Sequence, residues 1–208
     1  MNENLLYMPE NHMDKVYKSK NPLVSFIHNK RINSIAKLIP LTEKLNVLDA
    51  GCGEGHLIEK MHDINKNNNY YGIDITKIAL KNAKKRCTYA NLKCTDLRNI
   101  DYDNSFFDIV VCTEVLEHIK DYEIVIKEIS RLVKKKGRLI VTFPNEFLWT
   151  LSRFMLFIRP IKVPDHYNSF TPKKIISVVD MKVIKIINLP FRSPFSLSLC
   201  CLIEFEKV

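Results

Sequence analysis

The chain has 208 residues, of which 46% are hydrophobic and 26% are charged, with a formal net charge of +9. This length suits one domain that buries about 70% of its unfolded surface, and the composition is typical of a globular, soluble protein. The amino terminus lacks the regions of a signal peptide, and the longest apolar stretch outside the predicted strands, 147–158, is too short to cross a bilayer. The sequence therefore predicts a cytoplasmic protein without a transmembrane segment.

The six cysteines do not indicate a disulfide framework or a zinc site, whereas the excess of basic residues leaves several kinds of partner open. The cysteines form no C-x-x-C pair and lie mostly in apolar runs, so we interpret them as reduced, buried thiols. A positive charge suits nucleic acid, an anionic membrane surface or an anionic substrate. The basic runs 84–86, 134–136 and 173–174 lie where helices are predicted to end and would complement the helix dipole, so solvated surface is the favoured interpretation.

Helical and extended patterns alternate along the chain. Pro22 can begin a helix that continues to Pro40. A strand around Val47 and Leu48 follows, and further strands are predicted at 70–74, 89–95, 106–112 and 138–143, with helices at 54–64, 76–87 and 121–137. Strands that alternate with helices indicate a parallel, doubly wound sheet.

The most informative stretch is V-L-D-A-G-C-G-E-G, residues 47–55. An apolar pair is followed by an acid, Asp49, and then by three glycines two positions apart. Glycine permits positive φ and close approach of a ligand, and the amides of a following helix N-terminus would face that ligand. The spacing differs from the dinucleotide fingerprint G-x-G-x-x-G, and the Lys-Ser/Thr pair of a P-loop is absent. The stretch therefore predicts a ligand-binding loop of another kind.

This loop resembles motif I of the class I methyltransferases that use S-adenosylmethionine, and residues 114–118, E-V-L-E-H, resemble the motif that follows the family's fourth strand. The resemblance is strong over residues 45–145. It implies an α/β, Rossmann-like, doubly wound sheet of seven strands, mostly parallel with an antiparallel last strand. The two additional strands are expected near 182–188 and 199–207.

The same resemblance implies a domain organisation. We predict a single methyltransferase domain, 1–208, with an N-terminal helical cap at 1–40 and a cofactor-binding core at 41–145. A lid-like insertion would follow at 146–171, and a C-terminal helix and strands at 172–208.

The resemblance further implies which residues bind the cofactor, S-adenosylmethionine. Asp74, at the end of the second strand, would accept hydrogen bonds from the ribose hydroxyls. Thr76 already suits the N-cap of the next helix, so capping alone does not require an acid at Asp74. Asp96 would hold the adenine amino group beside Leu97, although an ordinary turn aspartate is the alternative. The complete predicted set is Asp49, Gly51, Cys52, Gly53, Gly55, Asp74, Ile75, Asp96, Leu97 and Thr113.

Contacts with the acceptor substrate are expected in the loops after the fourth and fifth strands, because ligands lie beyond the carboxyl ends of an open α/β sheet. The predicted contacts are Glu114, Glu117, Trp149 and Tyr167. The aromatic-rich stretch 147–158 has three interpretations: a lid over a hydrophobic substrate, a helix on a membrane surface, or core packing. It argues against a small, very polar acceptor.

Two histidines are candidate catalytic bases. His166 precedes Phe170-Thr171-Pro172, a pattern that recurs in small-molecule methyltransferases of this class, although such a histidine is as often a structural hydrogen-bonder. Transfer from an activated sulfonium needs mainly alignment, and a hydroxyl acceptor also needs a base, which contributes about 10²–10⁴-fold. We predict His166 and then His118 in this role.

A metal-assisted route is the alternative to a lone base. Glu114, Glu117 and His118 would share one face if their loop were helical. With His166 they resemble the divalent-metal ligands of small-RNA terminal 2′-O-methyltransferases and of quinone-biosynthesis catechol O-methyltransferases. The E-x-x-E-H run also occurs in relatives that use no metal, so we predict a lone base and no metal.

The predicted function is S-adenosylmethionine-dependent methylation of a hydroxyl or amine of a small, partly hydrophobic or lipid-linked molecule. An RNA ribose 2′-O-methyltransferase is not favoured, because the chain shows neither an RNA-binding module nor interleaved aromatic and basic residues. A non-catalytic, cofactor-binding partner subunit is a further alternative. Peripheral membrane contact stays open, and no oligomeric state is predicted.

Overall fold

The computed structural model describes residues 22–41, 44–155, 157, 165–191 and 193–208. Short 3₁₀ turns span Leu116–His118 and Phe195–Leu197. The α-helices and β-strands of the described residues are, in chain order, α1 (Pro22–Ala36), β1 (Asn46–Ala50), α2 (His56–Ile64), β2 (Asn69–Asp74), α3 (Lys77–Arg86), β3 (Asn91–Cys94), β4 (Phe107–Thr113), α4 (Tyr122–Leu132), β5 (Val133–Pro144), α5 (Glu146–Met155), α6 (Pro172–Val178), β6 (Lys182–Leu189) and β7 (Cys200–Glu206).

The strands form one seven-stranded sheet in the order β3-β2-β1-β4-β5-β7-β6. The pairs β1–β2, β1–β4, β2–β3 and β4–β5 are parallel, whereas β7 runs antiparallel to both β5 and β6. This confirms the predicted Rossmann-like sheet with an antiparallel last strand. The carboxyl ends of β1, β2, β3, β4 and β5 consequently lie along one edge, which is where a ligand is expected.

The central strands are apolar in nearly every position because the sheet is covered on both faces. Leu48 of β1 and Val110 of β4 belong to one core with α4. Val47 and Val111, their neighbours in sequence, belong to a second core with α1 and α2. Successive side chains of a strand point to opposite faces, so a strand buried on both sides must be hydrophobic throughout.

The predicted C-terminal boundary of α4 is wrong. The helix expected to continue to Gly137 ends at Leu132, and Gly137 lies inside β5. The basic run 134–136 therefore lies on a strand, and 173–174 lies in the first turn of α6, so neither run complements a helix C-terminus. The C-terminal carbonyls of α4 instead meet Lys207, whose Nζ donates to Ser130 O at 3.0 Å and Val133 O at 2.7 Å.

The terminal parts of the chain are described only in part. The predicted N-terminal helix is α1, which ends at Ala36 rather than Pro40, and residues 1–21 of the predicted cap lie outside the described residues. Residues 156 and 158–164 of the predicted lid also lie outside them, so the division of the chain into cap, core and lid stays a prediction. The six cysteines are free, and all but Cys94 are buried. In the part of the chain that is described, no helix has the length and apolar character needed to cross a membrane.

Candidate active site

The glycine loop after β1 has a backbone that side chains would disturb. Gly51, Gly53 and Gly55 all have positive φ, of 86°, 51° and 81°. A Cβ on Gly51 would overlap the side chain of Val115, and one on Gly55 would lie 3.1 Å from Cys87 Sγ. The loop is tied to β2, because the amides of Gly51 and Cys52 donate to Ile73 O at 2.7 and 2.9 Å. The predicted loop is therefore a rigid turn that needs glycine at these positions.

Asp74 organises the loop and the following helix together. Its Oδ2 accepts from the Gly53 amide at 2.8 Å, and its Oδ1 accepts from the Thr76 amide at 2.7 Å. Thr76 is the N-cap residue of α3, as its sequence suggested, although its side chain makes no capping hydrogen bond. A carboxylate offers about four acceptor sites, so Asp74 retains capacity for ribose hydroxyls.

Asp49 is a buried acid beside Asp74. It is only 2% exposed. Burial, and to a lesser extent the charge of Asp74, raises the pKa of Asp49 from 3.8 to about 8. A cationic ligand beside Asp49 would stabilise its ionised form. S-adenosylmethionine carries two such groups, a sulfonium and an amino group.

The other predicted cofactor residues lie along the same edge of the sheet. Asp96 is held by Arg98, whose Nη2 lies 2.6 Å from Asp96 Oδ2, and hydrogen bonding from Arg98 lowers the pKa of Asp96. Leu97 is buried, whereas Ile75 is exposed beyond β2. The Thr113 hydroxyl is buried and has no hydrogen-bond partner among the described residues. Thus the predicted set lies at or just beyond the carboxyl ends of β1, β2, β3 and β4, and its role in cofactor binding stays a prediction.

Glu114 is separated from the other acid of its motif. Its φ of 52° lies in the left-handed region, and the 3₁₀ turn begins only at Leu116. The helical loop that would have put Glu114, Glu117 and His118 on one face therefore does not form. Glu114 Oε2 instead forms an ion pair with Arg31 Nη1 at 3.0 Å, and its Oε1 accepts from Thr142 Oγ1 at 3.1 Å. Glu114 thereby joins α1 to the ends of β4 and β5.

Glu117, His118 and His166 do come together, although His166 lies on a distant loop. One ligand atom from each lies within 4.8 Å of the others. The two imidazole rings meet edge to face, with centroids 4.6 Å apart. His166 Nδ1 lies 2.6 Å from Glu146 Oε1, and His118 Nδ1 lies 3.1 Å from the backbone oxygen of Asp165. The predicted pair of bases is therefore assembled through contacts with Glu146 and Asp165.

Burial sets the charge of this cluster. It raises the pKa of Glu117 well above its usual range, and the nearby charge of Glu114 acts in the same direction. It lowers the pKa of His118, and His166 adds to that effect. Burial therefore favours the neutral forms of Glu117 and His118, and a neutral imidazole is the form that accepts a proton.

The predicted substrate contacts Trp149 and Tyr167 flank the cluster. The buried Nε1 of Trp149 has no hydrogen-bond partner among the described residues, and its ring packs against His28 of α1 with centroids 6.1 Å apart. The Tyr167 amide donates to Glu117 O at 2.8 Å, while its ring is exposed. A groove of about 430 Å³ adjoins the cluster, lined by Glu146, Phe147, Thr150, Leu151 and Phe154.

The sequence reasoning missed Arg31 and Glu146. A signal existed for Arg31, which lies four residues from both Ile27 and Ile35 and is as buried as they are. A charged residue on the apolar stripe of a helix indicates a paired, functional position. Glu146 follows the carboxyl end of β5 almost directly, which is where acids of an active site are expected.

The donor set of the cluster fits a divalent ion. Two imidazoles and a carboxylate suit first-row metals, and each imidazole meets an oxygen acceptor at Nδ1. Glu117 Oε2 is buried and lacks a hydrogen-bond partner within the described ranges. Glu114, the fourth residue of the metal-assisted alternative, is engaged by Arg31.

Comparison with known proteins places this geometry in context. Residues 41–177 match the family model described as "Methyltransferase domain". A relative from Coxiella burnetii, named ubiquinone biosynthesis O-methyltransferase, is 26% identical over 188 residues, covering 83% of this chain and 79% of its own.

Two solved structures share the fold. Magnesium protoporphyrin IX methyltransferase from Synechocystis, with bound S-adenosylhomocysteine, has a TM-score of 0.72 at 18% identity, covering 94% of this chain and 92% of its own. The N-methyltransferase NodS from Bradyrhizobium japonicum, also with S-adenosylhomocysteine, has a TM-score of 0.68 at 19% identity, covering 91% and 89%.

Proposed function

This chain belongs to the methyltransferase-domain family and is an S-adenosylmethionine-dependent enzyme, and we propose that its acceptor is a hydroxyl group on a small, partly hydrophobic molecule. The observation that carries the proposal is the pair His118 and His166, held by contacts at Nδ1 beside the expected acceptor position. An amine acceptor needs only to be neutral, whereas a hydroxyl must lose a proton, which is what such a base supplies.

The proposed reaction is an in-line displacement. The acceptor oxygen forms a bond to the methyl carbon while the carbon–sulfur bond breaks. The electron pair of the broken bond stays on sulfur, which gives S-adenosylhomocysteine. The hydroxyl proton passes to a histidine nitrogen, with His166 as the first candidate and His118 as the second. Alignment of oxygen, carbon and sulfur supplies up to about 7–11 kcal/mol of the acceleration.

The groove beside the cluster supports a partly hydrophobic acceptor. Phe147, Leu151 and Phe154 line it together with Glu146, the residue that contacts His166. An apolar tail in this groove would therefore lie next to the base that serves the polar end. The name of the Coxiella relative supports a hydroxyl acceptor in the same way.

The experiment offers several acceptor classes to the purified enzyme with methyl-labelled S-adenosylmethionine. We expect label in amphiphilic phenols or catechols and none in matched aryl amines or in bulk transfer RNA. His166→Ala should slow transfer to a hydroxyl by about 10²–10⁴-fold while S-adenosylhomocysteine still binds. Preferential labelling of amines or RNA would contradict the hydroxyl proposal.

A metal-assisted version of the same reaction is the second candidate, favoured by the clustering of Glu117, His118 and His166. These residues would hold a divalent ion, which when bound lowers the pKa of a ligated hydroxyl. Because burial raises the pKa of Glu117, ion binding would be coupled to loss of a proton from this acid.

A chelator distinguishes the two routes. For the lone base we expect transfer to persist in excess chelator, because His166 acts without an ion. Transfer abolished by the chelator and restored by Mn²⁺ would establish the second candidate. Glu117→Gln is the matched variant, since it keeps the shape of the side chain and removes the anionic ligand.

A further inference from the structure

The contact between Glu146 and His166 bears on which ring nitrogen of His166 carries a proton. This inference rests on the proposed function, in which His166 is a base, and goes beyond it. Glu146 Oε1 lies 2.6 Å from His166 Nδ1, and both side chains are mostly buried, at 16% and 14% exposure. An ionised carboxylate can only accept a hydrogen bond, so a partner nitrogen at this distance must carry the proton. The other nitrogen of the ring, Nε2, is then left with its lone pair.

We propose that Glu146 is a positioning residue that fixes His166 as the Nδ1–H tautomer and thereby makes Nε2 its working atom. The nitrogen that carries the proton in a neutral histidine is set by the hydrogen bond that the other nitrogen makes. Without a partner at Nδ1 the ring would favour the opposite tautomer, with its proton on Nε2. His166 could then not accept a proton at the atom that this geometry presents.

The place of Glu146 in the fold makes it suited to this role. It lies in the first turn of α5, where the helix dipole favours a negative charge. The residue before it, Asn145, donates from Nδ2 to Phe195 O at 2.8 Å, which fastens the start of the helix to the β6–β7 connection. The carboxylate is therefore presented to His166 by a fixed helix terminus rather than by a free loop.

His118 provides an internal comparison within the same cluster. Its Nδ1 lies 3.1 Å from the backbone oxygen of Asp165 and 3.2 Å from Asp165 Oδ2. A backbone carbonyl can only accept, so His118 is also an Nδ1–H tautomer, but this partner survives any substitution of the Asp165 side chain. The tautomer of His166 depends on a side chain that can be removed, whereas that of His118 does not.

The experiment measures both tautomers by long-range ¹H–¹⁵N correlation spectra of the ¹⁵N-histidine-labelled protein near neutral pH. The chain has six histidines, so spectra of His118→Asn and His166→Asn assign the two signals. We expect both histidines of the wild type to show the Nδ1–H pattern. Glu146→Ala should convert His166 to the Nε2–H pattern, and Glu146→Gln should retain Nδ1–H, because the amide oxygen still accepts.

The matched control is Asp165→Ala, which should leave His118 in its Nδ1–H form. Calorimetric binding of S-adenosylhomocysteine checks that each variant is folded, since Glu146 is not one of the predicted cofactor-binding residues. An Nε2–H pattern for His166 in the wild type, or an unchanged pattern in Glu146→Ala, would overturn the inference. Neither result would affect the proposed methylation of a hydroxyl, which is tested by the labelled acceptors.

Discussion

The predicted cofactor half and the predicted acceptor half of the candidate active site are built in different ways. In the cofactor half, from β1 to β3, the key features are backbone conformations and bonds to backbone amides, such as those of Asp74 with Gly53 and Thr76. In the acceptor half, the key features are side-chain contacts between distant segments, such as Arg31 with Glu114 and Glu146 with His166. A backbone cradle suits a ligand that every member of the family shares, whereas side-chain contacts can vary with the acceptor.

The largest expected effect concerns the free energy of unfolding, which the buried acid Asp49 of the cofactor half should lower at neutral pH. The pKa of Asp49 is raised from 3.8 to about 8, so the folded state binds the proton more tightly than the unfolded chain. The contribution of Asp49 to stability is therefore intact below about pH 4 and is lost progressively as the pH rises to about 8. At about 1.4 kcal/mol per pH unit, the total loss is several kcal/mol.

Asp49→Asn should remove this loss. We expect a higher melting temperature for the free variant at pH 7.5, little difference at pH 3.5, and weaker binding of S-adenosylhomocysteine. Asp63→Asn is the control, because it makes the same chemical change at an exposed position. Equal melting curves for Asp49→Asn and wild type at both pH values would mean that the acid is not destabilising.

The next effect tests the backbone cradle directly. Gly51→Ala places a Cβ against Val115 at a φ of 86°. Left-handed strain of about 1–2 kcal/mol and overpacking of about 1–3 kcal/mol should together weaken binding of S-adenosylhomocysteine by roughly 100-fold. Gly51→Ala combined with Val115→Ala relieves the overlap but not the strain, so partial recovery separates the two causes. Unchanged affinity in the single variant would show that the loop is not a fixed cradle.

A third effect tests the acceptor half through its ion pair. Arg31→Met leaves Glu114 without its cationic partner, and removing one member of a buried pair costs about 3–5 kcal/mol of stability. Glu114→Gln should cost less, because Thr142 can still donate to the amide oxygen. Chemical denaturation of both single variants and the double variant measures the coupling. A coupling below about 0.5 kcal/mol would indicate two independent positions.

The smallest effect tests the side-chain charge within the cofactor half. Asp74→Asn keeps one acceptor oxygen and removes the charge, so the hydrogen bonds to ribose should weaken by about 1.5–3 kcal/mol at most. Calorimetry should show lower affinity for S-adenosylhomocysteine but not for its fragment homocysteine, which lacks the ribose. Equal losses for both ligands would mean that Asp74 acts only by holding Gly53.

The sequence indicated the cofactor half in detail because its determinants are local. Strands buried on both faces must be apolar, and a loop with repeated positive φ must contain glycine. Each condition is satisfied by residues a few positions apart, so a linear pattern records it. The helix boundary at Leu132 was missed because the lysines after it suit a helix end equally well, and only the pairing of β5 with β4 and β7 decides between them.

The acceptor half was determined by the tertiary structure. Both histidines could be identified as candidate bases from their motifs, but not the partners of their Nδ1 atoms, which lie 20 residues away for His166 and 47 for His118. The sequence allowed Glu114 to share a helical face with Glu117 and His118. In the structure Glu114 has a left-handed backbone conformation and pairs with Arg31 instead. The physical reason is that an ion pair requires only that two charges meet in space, and no periodicity in the sequence records which distant segments the fold brings together.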